Sequence, residues 1–326
     1  MTIKSSGNPL AFSEIETEFG ANGTRSLGSY RLTQSVGTLS NLPLDTGIPT
    51  SGQIKFSDFY GKQLNIVVDC HSGGREDRIT AKNDKWNNNN LTVIGGFRSK
   101  KEGGSKIYIN VNKKFCSDKN NVNNCALKTG SWDSTATVQV DLGSNAKVFG
   151  AGGDGGSGAQ GINNSGSPGG TGTSGLGIDT NNVTVNIASG AIIRAGFGGG
   201  GGGGGGRQTD KGSDRRASGG GGGGGAGFPA GNGGQPGNGC ANGSSGSSGN
   251  ETTAGDGGGG GNNGNQAYGA TGGEGGQFGE AANGGGSSQA GGGSGGGDGA
   301  AIRRTSGFSV TINNNCLLYT SDAADE

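Results

Sequence analysis

Apolar and polar residues alternate with a period of two between Leu64 and Phe149. The alternation runs through LNIVV, LTVIGGF, KIYINVN and ATVQVDL, and Asn, Gly and Asp separate these runs. This period is typical of β-strands that bury one face. Since each strand keeps one polar face, the pattern favours an antiparallel sheet that packs on one side only. We therefore predict an antiparallel β-domain over residues 63–149.

A different pattern precedes this region. Residues 1–62 contain two short runs of mixed apolar and acidic residues, AFSEIETEFG from Ala11 and IKFSDFYG from Ile54, and each run ends at a glycine. Both predict short helical turns, and in the first run Ser13 and Glu16 have the spacing of a capping box. The pattern predicts a small N-terminal module with short helices, which either docks onto another protein or simply begins the first domain.

A strand–turn–strand unit recurs in the second half of the chain. It appears as TVQVDLGSNAKVFGAGG from Thr137, as VTVNIASGAIIRAGFGGG from Val183 and as FSVTINNN from Phe308. The later copies predict strand units at residues 183–195 and 308–314. The third copy breaks at Cys316 into LLYTSDAADE. Residues 316–326 resemble a translated sequencing-adapter string, so we expect this tail to be non-native and the natural chain to continue differently.

The composition changes at Gly150, because 64 of the 81 glycines lie between residues 150 and 300. Many of them are three residues apart, as in GAGGDGGSGAQG. A period of three is that of the polyproline II (PPII) conformation, whose backbone groups need hydrogen-bond partners outside their own segment. Glycine lets backbones approach closely enough to supply them. The pattern predicts a glycine-rich domain over residues 150–315 that contains a bundle of about eight glycine-rich PPII helices, with a flexible linker as the alternative. The predicted helices comprise residues 150–161, 196–206, 219–227, 231–239, 243–249, 255–264, 269–279 and 284–299.

Charge and composition narrow the function. Lys plus Arg equals Asp plus Glu at 25 each, so we expect no nucleic acid as a partner. No apolar run approaches the roughly 18 residues of a membrane span, so we expect no membrane insertion. His71 is the single histidine and no nucleophile–base pattern accompanies it, so we expect no catalytic residues and no enzyme, although two carboxylates on separate loops could still cleave a glycan. The five cysteines contain no CxxC pair, so no metal site or cofactor is expected. Cys116 and Cys125 either form a local disulfide or stay reduced.

The GAGGDGGSG-type runs and the strand units that frame them resemble the tip adhesins of T-even-type phage long tail fibres, over roughly Thr137 to Asn315. The pieces FSEIETEFG and FSDFYG look like an N-terminal module of structural proteins of marine phages. The resemblance implies a polyglycine II sandwich that displays variable loops. It also implies a virion protein at the tail-fibre tip, assembled in the host cytoplasm. Residues 1–62 would attach to the fibre shaft or another virion protein, and the receptor would be a host surface protein or glycan.

Side chains that interrupt the glycine segments carry nearly all the chemistry of this half of the chain. Aromatic and Arg residues on rigidly supported loops provide large contact area at a small loss of conformational entropy. Such residues are candidates for receptor binding, and each of them could instead pack against the end of the glycine helices. The candidates are Arg207, Arg215, Arg216, Phe228, Tyr268 and Phe278.

Two other classes of function are compatible with so much glycine. Glycine-helix bundles can present flat faces of small residues, as an ice-binding protein would need, but charged and aromatic residues interrupt the segments here. An extracellular structural glycine-rich protein is the other alternative. The long β-part before the glycines and the missing signal-peptide pattern in residues 1–8 argue against it.

Overall fold

The computed structural model of the chain describes most of its residues, and the fold is mainly β, as predicted. One α-helix and two 3₁₀-helical turns accompany sixteen strands in the described part of the chain. The tail at 316–326 and His71 lie outside the described residues. The described residues are 3–20, 26–36, 39–70, 79–80, 104, 106–119, 121–130, 132–161, 164–210, 213–263, 267–305 and 307–314. The helices are α1 (Phe12–Phe19) and the 3₁₀ turns Leu27–Tyr30 and Phe56–Phe59. The strands are β1 (Thr33–Val36), β2 (Leu39–Pro43), β3 (Ile66–Cys70), β4 (Ile79–Thr80), β5 (Lys106–Val111), β6 (Lys114–Cys116), β7 (Cys125–Lys128), β8 (Thr137–Leu142), β9 (Lys147–Phe149), β10 (Ser174–Ile178), β11 (Val183–Ile187), β12 (Ile192–Arg194), β13 (Gly206–Asp210), β14 (Ser213–Ala217), β15 (Ile302–Arg304) and β16 (Val310–Asn314).

The N-terminal residues form a small module with its own core. Helix α1 and the turn Phe56–Phe59 lie where the sequence predicts short helices. The predicted Ser13–Glu16 capping box is wrong, because the helix begins earlier and the Glu14 carboxylate accepts the N–H of Ala11 at 2.7 Å. The buried Tyr30 hydroxyl donates to the carbonyl of Gly20 at 2.8 Å, and burial raises the pKa of Tyr30 to about 12. The module core consists of Ile3, Ile15, Phe19, Tyr30, Leu44, Ile48, Phe59 and Leu64.

Apart from the β13–β14 pair, the strands from β3 onward pair in parallel, so the prediction of an antiparallel β-domain over residues 63–149 is wrong. The chain visits three sheets in turn, and a strand pairs with its equivalent one coil later. Val183, for example, lies between Val138 and Val310 in register. Alternation alone cannot distinguish this three-sided solenoid from an antiparallel sheet, because both bury every second residue. The strand orders are β16-β11-β8-β5-β3, β12-β9-β6 and β15-β10-β7-β4.

The solenoid contains the larger of the two hydrophobic cores in the described part of the chain. Inward-facing side chains of all three sheets form one core, in which Ile109, Val140 and Leu127 are completely buried. The strand units predicted at 183–195 and 308–314 add coils to this solenoid as β11, β12 and β16. The recurring sequence unit is therefore one repeat of a stacked structure, in which each coil buries its apolar face against its neighbours.

The glycine-rich segments leave the solenoid twice, between β9 and β10 and again between β12 and β15. They are neither α-helical nor paired as strands, and their backbone N–H groups donate to other segments. Along the first segment, every third residue donates to the same neighbour: Gly152, Gly155 and Gly158 donate to Pro229, Asn232 and Gln235 at 2.8–2.9 Å. The glycine period of three in the sequence is thus the period of this lateral hydrogen bonding.

Ten segments, not about eight, take part in this lateral bonding within the described residues. The prediction missed residues 166–173 and joined two segments that Ser287 to Ala290 separate. Hydrogen-bond partners arrange the ten segments in three layers of three, four and three. We call this assembly the glycine array. Its layers contain 166–173, 150–161 and 231–239; then 291–299, 196–206, 218–226 and 243–249; then 282–286, 269–276 and 255–261.

The two unbroken glycine runs occupy the centre of the array. Segment 196–206 exchanges hydrogen bonds with six other segments, and so does segment 218–226. A Cβ on any residue from Gly198 to Gly206 would collide with the backbone of another part of the chain. The outer segments have fewer neighbours, so some of their positions face solvent and carry side chains, as Ser157 does. Unbroken glycine runs therefore identify the central segments of the array, and segments with other residues among the glycines are the outer ones.

Candidate binding surface

Successive segments of the glycine array run in opposite directions, so their connections alternate between two ends. The junction end lies against the solenoid, where segment 150–161 continues β9 and segment 291–299 leads to β15. The distal end is opposite and carries five connections, which we call the distal loops. The described residues of the distal loops are 161 and 164–165, 206–210 and 213–217, 239–242, 262–263 and 267–268, and 287–290.

Hydrogen bonds link four of the five distal loops. The backbone N–H of Arg207 donates to Oε1 of Gln289 at 2.6 Å, and the Ser288 hydroxyl donates to the carbonyl of Tyr268 at 2.7 Å. The N–H of Ala241 donates to the carbonyl of Arg216 at 3.3 Å. Strands β13 and β14 form an antiparallel hairpin in the middle of this set. The loops thus support each other on the rigid end of the array, as a recognition surface requires.

Four of the six predicted binding residues lie at this distal end. Tyr268 is 52% exposed, Arg216 is exposed and Arg207 is half-buried. Arg215 belongs to the same hairpin, where its backbone pairs with Gln208. Its side chain is outside the described residues. The distal end therefore combines an accessible aromatic ring with guanidinium groups.

The other two candidates, Phe228 and Phe278, lie at the junction end. Phe228 is half-buried, and its ring centroid is 6.5 Å from that of Phe149 in β9. Phe278 is 53% exposed on the turn from Gln277 to Glu280. The Gln277 side chain in this turn accepts the backbone N–H of Ala254 from the neighbouring connection. Counted from segment 196–206, Phe228 and Phe278 follow an even number of glycine segments and Tyr268 follows an odd number, so the array separates the two phenylalanines from Tyr268.

Charged groups fasten the glycine array to the solenoid at the junction end. Nζ of Lys114 lies 2.7 Å from the carboxylate of Glu251 and 3.4 Å from the ring centroid of Phe228. Arg194 donates to the carbonyl of Glu251 at 3.1 Å and lies over the ring of Phe149. An exposed ion pair contributes about 0–1 kcal/mol and a cation–π contact about 0.5–2 kcal/mol. Phe228 thus packs against the solenoid through Phe149 and Lys114.

Side chains complete the hydrogen bonding where a neighbouring segment is absent or too short. The hydroxyls of Ser244 and Ser247 each accept a backbone N–H of segment 255–261 at 2.7 Å. Segment 282–286 is too short to reach Gly198, and Oδ1 of Asp298 accepts the Gly198 N–H at 2.8 Å instead. Burial raises the pKa of Asp298, and the hydrogen bond from Gly198 opposes that rise.

Sequence reasoning missed Ser288 and Gln289, whose side chains hydrogen-bond to the backbones of Tyr268 and Arg207. The signal was present, because SSQA at 287–290 interrupts the glycine period as the other connections do. Cys70, Cys116, Cys125 and Cys240 are thiols that form no disulfide, and burial raises the pKa of Cys125. In the part of the chain that the structure describes, no three His, Cys, Asp or Glu side chains are grouped to hold a metal ion. No helix among the described residues is long and apolar enough to span a membrane.

Comparison with known proteins decides the family. A family model described as phage tail fibre adhesin Gp38 matches residues 76–322, which is most of the chain. The chain belongs to this family. No curated protein and no solved structure gave a significant match. The family match spans the glycine array and all of the solenoid beyond β3, and the N-terminal module lies outside it. Membership supports a role in host attachment as a component of the virion.

Proposed function

We propose that this chain is the tip of a phage tail fibre and binds a host-surface receptor through its distal loops. The observation that carries the proposal is the convergence of five connections, four of them linked by hydrogen bonds, at the end of the array farthest from the solenoid. The side chains of Tyr268 and Arg216 are exposed there, and aromatic and Arg residues dominate binding energies at protein interfaces. The receptor is a host surface protein or glycan, and the proposed activity is binding without turnover.

The scaffold in this proposal is a bundle of polyglycine II helices. Three features support that assignment. The segments form lateral hydrogen bonds at every third residue, they are neither α-helices nor β-strands, and their central glycines leave no space for a Cβ. A threefold extended helix with these bonds matches the PPII repeat. Such a scaffold loses little entropy on binding, because its loops are held before the receptor arrives.

Alanine substitution at the two ends of the array tests the proposal. Tyr268→Ala and Arg216→Ala remove exposed groups at the distal end, and Phe278→Ala removes a ring of almost equal exposure at the junction end. At least one distal variant should weaken adsorption to host cells by about 1 kcal/mol or more, whereas Phe278→Ala should bind like the parent. The result that would overturn the proposal is parental adsorption by both distal variants together with a loss for Phe278→Ala.

The N-terminal module is the proposed attachment to the fibre shaft or another virion protein. It has a separate core and lies outside the family match, and Phe56 is 40% exposed on its surface beside Phe12. An exposed aromatic ring that packs on a half-buried one offers an apolar contact to a protein partner. Full-length Phe56→Ser should fold but be recovered on fewer phage particles. Unchanged incorporation into particles would argue that attachment uses another surface.

A further inference from the structure

The glycine array contains Asn–Gly pairs, whose rate of deamidation depends on the surrounding backbone. An Asn followed by Gly can lose ammonia when the glycine nitrogen attacks the Asn side-chain carbonyl carbon. The attack requires a mobile Asn side chain and a glycine N–H that a base can reach. Four Asn–Gly pairs lie wholly within described residues, at 232–233, 238–239, 242–243 and 283–284.

Hydrogen bonds engage the glycine nitrogen in three of these pairs. The N–H of Gly243 donates to the buried hydroxyl of Ser218 at 2.8 Å, and the N–H of Gly239 donates to Oδ1 of Asn242 at 3.0 Å. The second bond also restrains the Asn242 side chain. The N–H of Gly233 donates to the Ser248 hydroxyl at 3.3 Å, which is the weakest of the three.

The fourth pair differs in both respects. Asn283 and Gly284 are exposed on the outer face of segment 282–286. Within the described residues neither the Gly284 N–H nor the Asn283 side chain makes a hydrogen bond. The backbone N–H groups of Asn283 and Gly285, on either side of Gly284, donate to neighbouring segments, whereas that of Gly284 faces outward. We propose that Asn283 is the site at which the folded protein deamidates, in preference to the other three pairs.

The reaction needs only water. The Gly284 nitrogen loses its proton to base and forms a bond to Cγ of Asn283, and the amide nitrogen leaves as ammonia to give a cyclic succinimide. Water then opens the ring at one of its two carbonyls. One opening leaves Asp at position 283, and the other leaves isoaspartate, whose main chain is one carbon longer.

An isoaspartate at this position disturbs the centre of the array. The carbonyl of Asn283 accepts the N–H of central Gly201 at 2.9 Å, and the N–H of Asn283 donates to Glu274 at 2.9 Å. An extra backbone carbon shifts the residues that follow out of their three-residue register, including the bond from Gly285 to Gly293. Ageing of the protein should therefore loosen segment 282–286 first.

Peptide mass spectrometry of the intact folded protein tests the proposal. The protein is incubated at mildly alkaline pH and sampled over time. Each sample is then cleaved after Glu, and the cuts at Glu251, Glu274 and Glu280 place Asn283 in a different peptide from the other three pairs. Asn283 should react about tenfold faster than Asn242, since attack at Gly243 must first break its hydrogen bond. In guanidinium the four pairs should react at similar rates, because only local sequence remains.

Two variants separate the cause from general instability. Asn283→Gln should stop the reaction in its peptide without changing the melting temperature. Ser218→Ala removes the acceptor of the Gly243 N–H and should accelerate reaction at Asn242 alone. Equal rates at Asn283 and Asn242 in the folded protein, or the same ratio folded and unfolded, would overturn the proposal.

Discussion

Adding one methyl group at the centre of the glycine array should destabilise the fold more than adding it at the surface. Gly222 lies in the central segment 218–226, where its N–H donates to Gly156 and its carbonyl accepts from Gly234. A Cβ at Gly222 would lie 2.6 Å from the carbonyl carbon of Gly200 and closer still to its oxygen. Ordinary contacts begin near 3.4 Å, so two backbones must separate by about 1 Å for Gly222→Ala to fit.

The cost can be estimated from that displacement. Forcing an extra methyl into packed surroundings costs about 1–3 kcal/mol. The displaced Gly200 carbonyl also accepts the N–H of Gly156, and weakening that bond adds about 1 kcal/mol. We expect Gly222→Ala to lower the unfolding free energy by about 2–4 kcal/mol, a large part of a typical domain's 5–15 kcal/mol.

Gly297→Ala is the matched control. Gly297 lies in segment 291–299 with nothing within 4 Å of a Cβ and without a positive φ. Because alanine restricts the unfolded chain, this variant should be unchanged or more stable by about 0.4–1 kcal/mol. Thermal unfolding and hydrogen exchange over residues 196–276 would measure both variants. Equal stability of Gly222→Ala and Gly297→Ala would refute the reasoning that central backbones are in contact.

Three further predictions concern groups outside the central segments. Asp298→Asn keeps an acceptor for Gly198 and should match or exceed the parent at neutral pH, whereas Asp298→Ala should lose about 1–3 kcal/mol. The raised pKa of Asp298 means that the parent's unfolding free energy falls as pH rises above 3.8, and urea titrations of Asp298→Asn should lack this fall. For Tyr30, whose pKa is about 12, the unfolding free energy should fall as pH rises from 10 towards 12, and Tyr30→Phe should lose that slope and about 1 kcal/mol at neutral pH. Lys114→Met should cost about 1–2 kcal/mol at low salt and less at high salt, because part of the loss is the pair with Glu251.

The parallel solenoid could not be deduced from alternation, but the recurring unit contained the necessary information. Thr137, Val183 and Phe308 each begin the same strand–turn–strand pattern, and the structure places these copies on successive coils. Strands that repeat at long and unequal intervals cannot be joined by hairpins, which favours parallel stacking. The inserted glycine segments hid this regularity, because they make the intervals unequal.

The sequence predicted the type of the candidate binding residues but not the end of the array at which each one lies. Each glycine segment reverses the chain, so the connection containing Arg207 must lie opposite the one containing Phe228, and Phe278 must share the end of Phe228. Composition identified aromatic and Arg residues correctly as side chains that interrupt glycine. It could not assign them to an end, because that requires the number of segments, and SSQA at 287–290 was read as part of one segment.

The lateral bonding at every third residue fixes the length of this molecule in discrete steps. Because all ten segments share one register, the distal loops can move farther from the solenoid only if every segment gains a whole triplet. In the proposed polyglycine II geometry each triplet adds about 9 Å of reach, and lengthening a single segment leaves its new amides without partners. Substitutions in the loops of such an adhesin are therefore easily accommodated, whereas a change in the length of the array is not. Related members of the family should differ in their loops while their glycine segments keep the same number of triplets.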